Sequence, residues 1–284
     1  MATIRLGLIG GNIAASKSPL LHRIAGEMCG LTVTYDLLIP EQRKQSFEAT
    51  FETCRDGGYR GLNITYPYKE QVIGLVSIED QDIQAIGACN TVVFQQTPPQ
   101  GSNTDYSGFM QAFRETFGPA SPGRVAMAGT GGVGKAAAFA LSRLGMTSLA
   151  LFDTDLGKAR ALATRLTGRF PGLTVTVVET IDAAMEGADG FVNCTPLGME
   201  GRPGTAFPAA LLRKGIWCFD AVYTPVETEF IQAARTAKLA VMTGYELFLQ
   251  QGIDAFRIFT GQSVESGALR RELKARDLQS EATP

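Results

Sequence analysis

One histidine stands in the 284 residues, His22, and that scarcity removes more chemistry than any other feature of the composition. Histidine is the commonest general base, triad member and metal ligand. A Ser-His-Asp triad or a histidine metal cluster is therefore nearly excluded. The segment around it, SPLLHRIAGEMCG, reads as an amphipathic helix in which His22 packs rather than reacts. An enzyme made from this chain has to move its protons with other groups. Cysteine is no richer in meaning. The residues at 29, 54, 89, 194 and 218 make an odd count of five without a C-x-x-C pair, which fits reduced thiols in the cytoplasm and neither a disulfide framework nor zinc. No metal is expected. Charge is balanced, with 26 Lys+Arg against 28 Asp+Glu and a net of −2, which argues against a nucleic-acid or anionic-membrane partner, since both need a basic face. No apolar run reaches the length that crosses a bilayer. The N-terminal IRLGLIGGNIAAS is short in apolar residues and broken by glycine, and reads as a first strand and turn rather than a signal segment.

What is present is an alternation. With 45% apolar residues the chain can bury one large core or two smaller ones. RLGLIG, TVTYDLLI, RGLNIT and NTVVF look like strands in the first hundred residues, with helices in SPLLHRIAGEMCG and EQRKQSFEATFETCRDGG between them. TPPQGSN (97–103) supplies turn chemistry and a candidate boundary. A second series follows: RVAMAG, LALFDTD, LTVTVVE, GFVNCTP, WCFDAVY and AVMTG, mostly separated by helices. Such alternation predicts an α/β protein with parallel sheets and right-handed crossovers. From Tyr245 onward the pattern is helical with no further strand, and those helices can pack back on the first unit. The expected organisation is a discontinuous α/β unit of residues 1–105 with 245–284, and a doubly wound unit of residues 106–244. No internal repeat or low-complexity tract occurs.

RVAMAGTGGVGKAAAFALSRLG (124–145) is the strongest single motif. A strand runs directly into Gly129, Gly131 and Gly134, which satisfy G-x-G-x-x-G, and an alanine-rich helix follows. The glycines allow a tight turn, close approach of a pyrophosphate and close helix–strand packing. The phosphates would lie on the helix N-terminus, where free N–H groups and the dipole favour anions. Asp153 ends the next strand, a little over twenty residues on, where an acid accepts hydrogen bonds from the ribose hydroxyls and repels a 2′-phosphate. The bland account of DTD is a helix cap, and Asp155 can supply that cap while Asp153 serves the ribose. NAD is expected over NADP.

Polar side chains gather at the other strand–helix turns. AASKSPLLH places Ser16 and Ser18 before a helix with Pro19 in its first turn; ordinary capping by Ser18 accounts for one hydroxyl, while two hydroxyls with free helix N–H groups can hold a carboxylate. GLNIT brings Asn63 and Thr65 to a strand end with Lys69 just beyond, GACNTVVF gives Asn90 and Thr91, and GSNTDYSGF gives Asn103, Thr104 and Asp105, which can be a cap. Open α/β sheets bind ligands at such turns, and the set suits a small hydroxylated ligand with one carboxylate.

SKSP, NITYPYK, GACNT, GSNTD, GTGGVGKA, NCTPLGM and DAVYTPVET follow one another as in the shikimate dehydrogenase family, which the chain resembles over nearly its whole length. The resemblance implies an α/β substrate domain closed by the C-terminal helices, a Rossmann domain between, and a cleft into which Lys69 points. It implies that Ser16 and Ser18 hold the substrate carboxylate, with Tyr223, and that Thr65, Asn90, Lys69 and Asp105 surround the ring hydroxyls. Gln251, in ELFLQQGIDAF, matches a substrate-binding glutamine; helical spacing independently puts it on one face with Leu247, Ala255 and Ile258, where a polar group needs a partner. Gly129, Thr130, Gly131, Gly132, Val133, Gly134, Asp153, Thr195 and Gly244 fall to the dinucleotide. The implied reaction passes a hydride between nicotinamide and a secondary ring alcohol, with Lys69 and Asp105 as the proton-handling pair. An ordinary lysine holds its proton too tightly to be a good base at neutral pH, so the residues alone leave open whether Lys69 carries the proton or stays charged beside the developing alkoxide.

Three departures narrow the family reading. Asp153 stands where NADP-using members tend to have basic or hydroxyl residues, Leu247 replaces an expected methionine, and motifs do not separate quinate from shikimate or from an aminoshikimate-type relative. The competing expectations are a two-domain dehydrogenase for a folate or an amino acid, and a catalytically silent sensor of dinucleotide or metabolite; retention of Lys69 and Asp105 weighs against the sensor. A cytoplasmic monomer or homodimer is expected, with no nucleic-acid or membrane partner.

Overall fold

The computed structural model describes residues 3–212 and 217–281, so the last residues of the expected C-terminal piece, 282–284, lie outside the described residues. The chain divides into two compact units, one of Met1–Thr104 with Leu249–Pro284 and one of Asp105–Phe248.

The first unit holds β1 (Ile4–Ile9), α1 (Ser18–Met28), β2 (Val33–Leu38), α2 (Phe47–Asp56), β3 (Gly61–Ile64), α3 (Gln81–Ile86), β4 (Thr91–Val93) and β5 (Gln100–Ser102). They form a five-stranded sheet in the order β2-β1-β3-β4-β5. β1 pairs in parallel with β2 and β3, whereas β4 is antiparallel to both β3 and β5. Three departures from the sequence reading appear here. The first is antiparallel β4 in a sheet expected to be parallel; its link to β5, residues 94–99, is too short for a crossover. The predicted helix over 41–58 begins only at Phe47, where Ser46 caps it through Ala49 N–H. The turn-rich 97–103 contains strand β5, which three residues without apolar alternation could not announce; Gly101 lies in it because a side chain there would strike Val76 and Cys89.

The second unit holds α4 (Thr104–Phe117) from Asp105 onward, then β6 (Arg124–Ala128), α5 (Gly132–Arg143), β7 (Ser148–Phe152), α6 (Leu156–Arg169), β8 (Thr174–Val177), α7 (Ile181–Met185), β9 (Gly190–Asn193), β10 (Trp217–Asp220), α8 (Glu229–Thr236), β11 (Ala240–Met242) and the start of α9 (Gly244–Thr260). The six strands are all parallel, in the order β11-β10-β9-β6-β7-β8. That is the doubly wound order 3-2-1-4-5-6 read from its other edge, and it places the topological switch between β6 and β9. Fully buried β9 and β10 (GFVN, WCFD) carry no polar face, as strands covered on both sides require. α4 is fastened to this sheet by aromatic edges: Phe109 meets Phe219 at 4.9 Å and Phe113 meets Trp217 at 5.1 Å between ring centroids.

The chain then returns to the first unit with the rest of α9 and with α10 (Ser266–Glu281). α9 packs on α1 where a side chain at Gly252 would strike Leu21. α10 is tied to α1 by ion pairs Lys17–Asp277 (2.6 Å) and Arg276–Glu27 (2.5 Å); as exposed pairs these contribute little to stability. All five cysteines are free thiols. Among the described residues no helix is long and apolar enough to cross a membrane.

Candidate functional site

In the first unit the strand order reverses between β1 and β3, so the loops after those strands flank the switch point where open sheets take ligands. Because β4 is antiparallel to β3, its beginning lies at the same edge, and so does the end of β5. Sequence-distant polar residues thereby converge. The Ser16 hydroxyl is 3.2 Å from that of Ser18 and accepts the Ser18 N–H at 3.3 Å. Ordinary capping by Ser18 is thus not what occurs: Lys17 holds the cap position of α1 without a side-chain cap bond, and Ser18 is the first helical residue. Two hydroxyls and an uncapped N-terminal turn remain for an anion.

Behind the serines lies a buried chain of hydrogen bonds. Tyr35 donates to Asn63 Oδ1 at 2.9 Å, and its hydroxyl also interacts with Ser18. Asn63 Nδ2 donates to Thr91 Oγ1 at 3.1 Å and to the Asn90 carbonyl at 3.2 Å. Asn90 Oδ1 then accepts from Thr104 N–H at 2.7 Å and from the Thr91 hydroxyl at 3.0 Å. Burial pushes the Tyr35 phenol well above its usual range, against the Ser18 bond, so Tyr35 remains a neutral donor. The sequence reading assigned Tyr35 no role. Its signal is the inward position in VTYDLL, where a buried tyrosine needs a polar partner. Asn63 was legible as a polar strand end, but its place between Tyr35 and Asn90 depends on the β1–β2 and β3–β4 registers.

Thr65 and Lys69 sit in the loop after β3, which is held at every second or third residue. Thr65 N–H bonds the Ile9 carbonyl (2.9 Å), Gly11 N–H bonds the Tyr66 carbonyl (2.9 Å), Tyr68 N–H closes a turn on Thr65 (2.9 Å), and Cys89 N–H bonds the Lys69 carbonyl (2.8 Å). Tyr68 stacks on Phe47 at 4.7 Å. Lys69 is half-buried, and its charge bears on the Cys89 thiol, which burial nevertheless pushes up to about 12. Gln251 lies half-buried on α9 beside Gly252. His22 is fully buried, stacked on Tyr35 at 4.8 Å and flanked by Phe256 and Phe259; its Nδ1 has no partner. It packs, as the sequence indicated.

In the second unit the glycine-rich segment lies at the β6–β9 switch point. Gly129 has φ +91°, and a side chain on it would strike the backbone of Cys194 and Thr195 at 2.6–2.8 Å. A Cβ on Gly134 would meet the Gly129 carbonyl at 2.3 Å, so only glycine lets α5 come this close to β6. A Cβ on Gly131 would meet nothing within 4 Å, and α5 starts from Gly131 with no side-chain cap. Open space over free N–H groups, with Thr130, Gly132 and Val133 in the same turn, fits a dinucleotide pyrophosphate. Gly134→Ala is expected to weaken dinucleotide binding at least about tenfold and to destabilise the fold by roughly 1–3 kcal/mol, read by calorimetry and urea unfolding; unchanged affinity would show that the cradle is not used.

Asp153 follows β7, and its Oδ2 accepts both the Thr130 N–H and the Thr130 hydroxyl at 2.7 Å. Asp155 caps α6 through Lys158 N–H, as expected, and donates its own N–H to Asp153 Oδ1 at 2.9 Å. Burial alone would raise the Asp153 carboxyl, yet the Thr130 and Asp155 bonds and the Lys158 charge hold it below its usual range. Thr195 donates to Asn193 Oδ1 by hydroxyl (2.7 Å) and N–H (3.0 Å), and Asn193 in turn donates to the buried Asp220 (2.9 Å). Asp105 is buried as the second residue of α4, and its charge bears, with that of Asp220, on the Cys194 thiol, which burial raises first. Asp105 therefore neighbours the switch point. A Cβ on Gly244 would strike the Ala221 and Val222 carbonyls, and Tyr223 stacks on Phe248 at 5.4 Å. Tyr223 thus belongs to the second unit, apart in the chain's division from the two serines.

A parallel doubly wound unit with a fitted dinucleotide cradle, joined in one chain to an α/β unit with a polar crown, defines an oxidoreductase of Rossmann type. Residues 8–92 match the family described as "Shikimate dehydrogenase substrate binding domain". The chain is 36% identical over 265 residues to a quinate/shikimate dehydrogenase (NAD(+)) of Corynebacterium efficiens, covering 91% of this chain and 93% of that protein. It is 38% identical over 270 residues to a shikimate dehydrogenase (NADP(+)) of Pseudarthrobacter chlorophenolicus, covering 93% and 92%. Quinate dehydrogenase from Corynebacterium glutamicum in complex with NAD has a similar structure, with TM-score 0.89, 34% identity, and coverage of 96% of this chain and 99% of that one. The chain belongs to the shikimate dehydrogenase family.

Proposed function

We propose that the protein is an NAD-dependent dehydrogenase that interconverts quinate or shikimate, or both, with the corresponding 3-dehydro ketone. The observation that carries the reading is the crown at the edge of the first sheet. Ser16, Ser18, Thr65 and Asn90 are neutral hydrogen-bonding groups set beside the uncapped start of α1, with Lys69 in an anchored loop. Neutral donors and acceptors match ring hydroxyls, and a helix start with two hydroxyls matches a single carboxylate. Gln251, half-buried on α9 of the same unit, is assigned an amide contact to the substrate, and Tyr223 is assigned a hydroxyl contact to the carboxylate.

A bound nicotinamide supplies hydride-accepting chemistry. The chain's own residues have to orient a secondary alcohol and manage one proton at its oxygen. Lys69 and Asp105 are assigned that proton. Gly129, Gly131, Gly132, Val133 and Gly134 would hold the pyrophosphate, with Thr195 just after β9 and Gly244 at the first position of α9 assigned to the dinucleotide's surroundings. Preference for NAD is supported by Asp153, an ionised acceptor at the end of β7. Relatives named for NAD and for NADP are similarly close in identity, so the residues and not the likeness carry this choice.

The test crosses quinate and shikimate with NAD and NADP and follows cofactor reduction by the purified protein. NAD turnover exceeding NADP turnover by more than about tenfold is expected, and the faster alcohol names the substrate. Faster reduction of NADP overturns the cofactor assignment, and silence with both alcohols overturns the substrate assignment in favour of another cyclohexane carboxylate.

A further inference from the structure

We infer that the Thr130 hydroxyl sets the dinucleotide selectivity of this protein, as a positioning group that locks Asp153. The inference rests on the NAD reading above and deepens it. The glycine fingerprint asks nothing of the side chain at its second position: the turn needs Gly129, the phosphate approach needs Gly131, and any residue between them supplies an N–H. Here that position carries a hydroxyl, fully buried, and spends it on Asp153 Oδ2 at the same 2.7 Å as the Thr130 N–H.

The count of acceptors gives the consequence. A carboxylate has about four lone-pair sites. Thr130 occupies both on Oδ2, and Asp155 N–H occupies one on Oδ1. Oδ1 is left as the oxygen with spare acceptor capacity, on a side chain that three protein donors keep from rotating. The same bonds favour the ion over the neutral acid. A ribose hydroxyl can donate to Oδ1 at no cost in rearrangement. A 2′-phosphate brings about two negative charges against a carboxylate deprived of both escapes, turning aside and taking up a proton. Without the hydroxyl, one donor from the backbone and one from Asp155 remain, and the carboxylate regains its rotation.

Isothermal titration calorimetry with NAD and with NADP tests this on the wild-type protein and on Thr130→Val, Thr130→Ser and Asp153→Ala, alone and combined. Wild type is expected to bind NAD more tightly than NADP. Thr130→Val is expected to reduce the NAD-to-NADP affinity ratio by about tenfold, the order expected for a charge-assisted hydrogen bond. Thr130→Ser, which keeps the hydroxyl, is expected to stay within about threefold of wild type. In an Asp153→Ala background Thr130→Val is expected to leave the ratio unchanged, because the hydroxyl acts through the carboxylate. Should Thr130→Val fail to fold, Thr130→Ala gives the same reading. Carbon-13 titration of the Asp153 carboxyl adds a second measurement, with its midpoint expected to rise on loss of the hydroxyl. An unmoved ratio in Thr130→Val, or an equal shift in the Asp153→Ala background, overturns the role of Thr130 alone. A wild-type protein that prefers NADP overturns the cofactor reading instead.

Discussion

Lys69→Met is expected to yield a folded protein whose kcat falls by about a thousandfold, while KM for the alcohol changes less than about fivefold. Methionine keeps the apolar stem of the lysine, and the surrounding loop is fixed by bonds of its own backbone, from Thr65 N–H to the Cys89–Lys69 contact, so removal of the ammonium is the dominant change. A group that handles the proton or faces the developing alkoxide acts mainly in the transition state, and its loss appears in kcat. A group that only binds the ring hydroxyls appears in KM. Lys69→Arg separates the two proton roles, because arginine keeps the charge and does not release a proton. Recovery by arginine to within about tenfold of wild type points to electrostatic stabilisation; a rate as low as that of Lys69→Met points to proton transfer. Near-normal kcat and KM in Lys69→Met would remove the residue from the reaction.

The elements were legible where the physics is local. β1, β3, α5 and β6 announce themselves through apolar runs closed by glycine or by a cap, and Gly134 carries its reason in the spacing of the motif. β5 was not legible, because its three residues become a strand only by pairing with β4. The same division runs through the site. Ser16, Thr65, Lys69 and Asn90 could be picked out one at a time as polar residues at strand ends. The line Ser18–Tyr35–Asn63–Thr91–Asn90–Thr104 could not, since it crosses four strands and exists only in their register. Thr130 is the sharpest case. Its place in the motif suggests a backbone role, and the partnership of its hydroxyl with Asp153 needs β6 and β7 side by side. What the sequence hides is long-range pairing, and long-range pairing is what turns a list of polar residues into an oriented set.

That dependence on packing makes the single histidine a reporter of the first unit. The His22 ring lies between Tyr35, Phe256 and Phe259, and burial, opposed by a hydrogen bond with Asn63, pulls its pKa from 6.5 to about 3. The unfolded chain therefore takes a proton near pH 6.5 that the folded chain refuses until about pH 3. Between those values acid favours unfolding, so the stability contributed by a neutral His22 is present above pH 6.5 and is lost as pH falls, by up to about 1.4 kcal/mol per unit. Between pH 7 and pH 4 the loss amounts to about 3 kcal/mol, a large share of the 5–15 kcal/mol that usually holds a domain. His22→Phe keeps an aromatic ring on Tyr35 and removes the titration. It is expected to cost about 1 kcal/mol at pH 7, where the hydrogen bond is lost, and to be the more stable protein by about 2 kcal/mol at pH 4. Urea unfolding of both proteins at the two pH values measures the crossing, with the carboxylates common to both cancelling in the difference. Curves that stay parallel from pH 7 to pH 4 would mean that His22 titrates alike in the folded and unfolded chains, and that the stack on Tyr35 admits a proton. Since Tyr35 bonds both Ser18 and Asn63, a proton admitted there would loosen the line that orients the candidate substrate site, and substrate KM would rise in the same pH range.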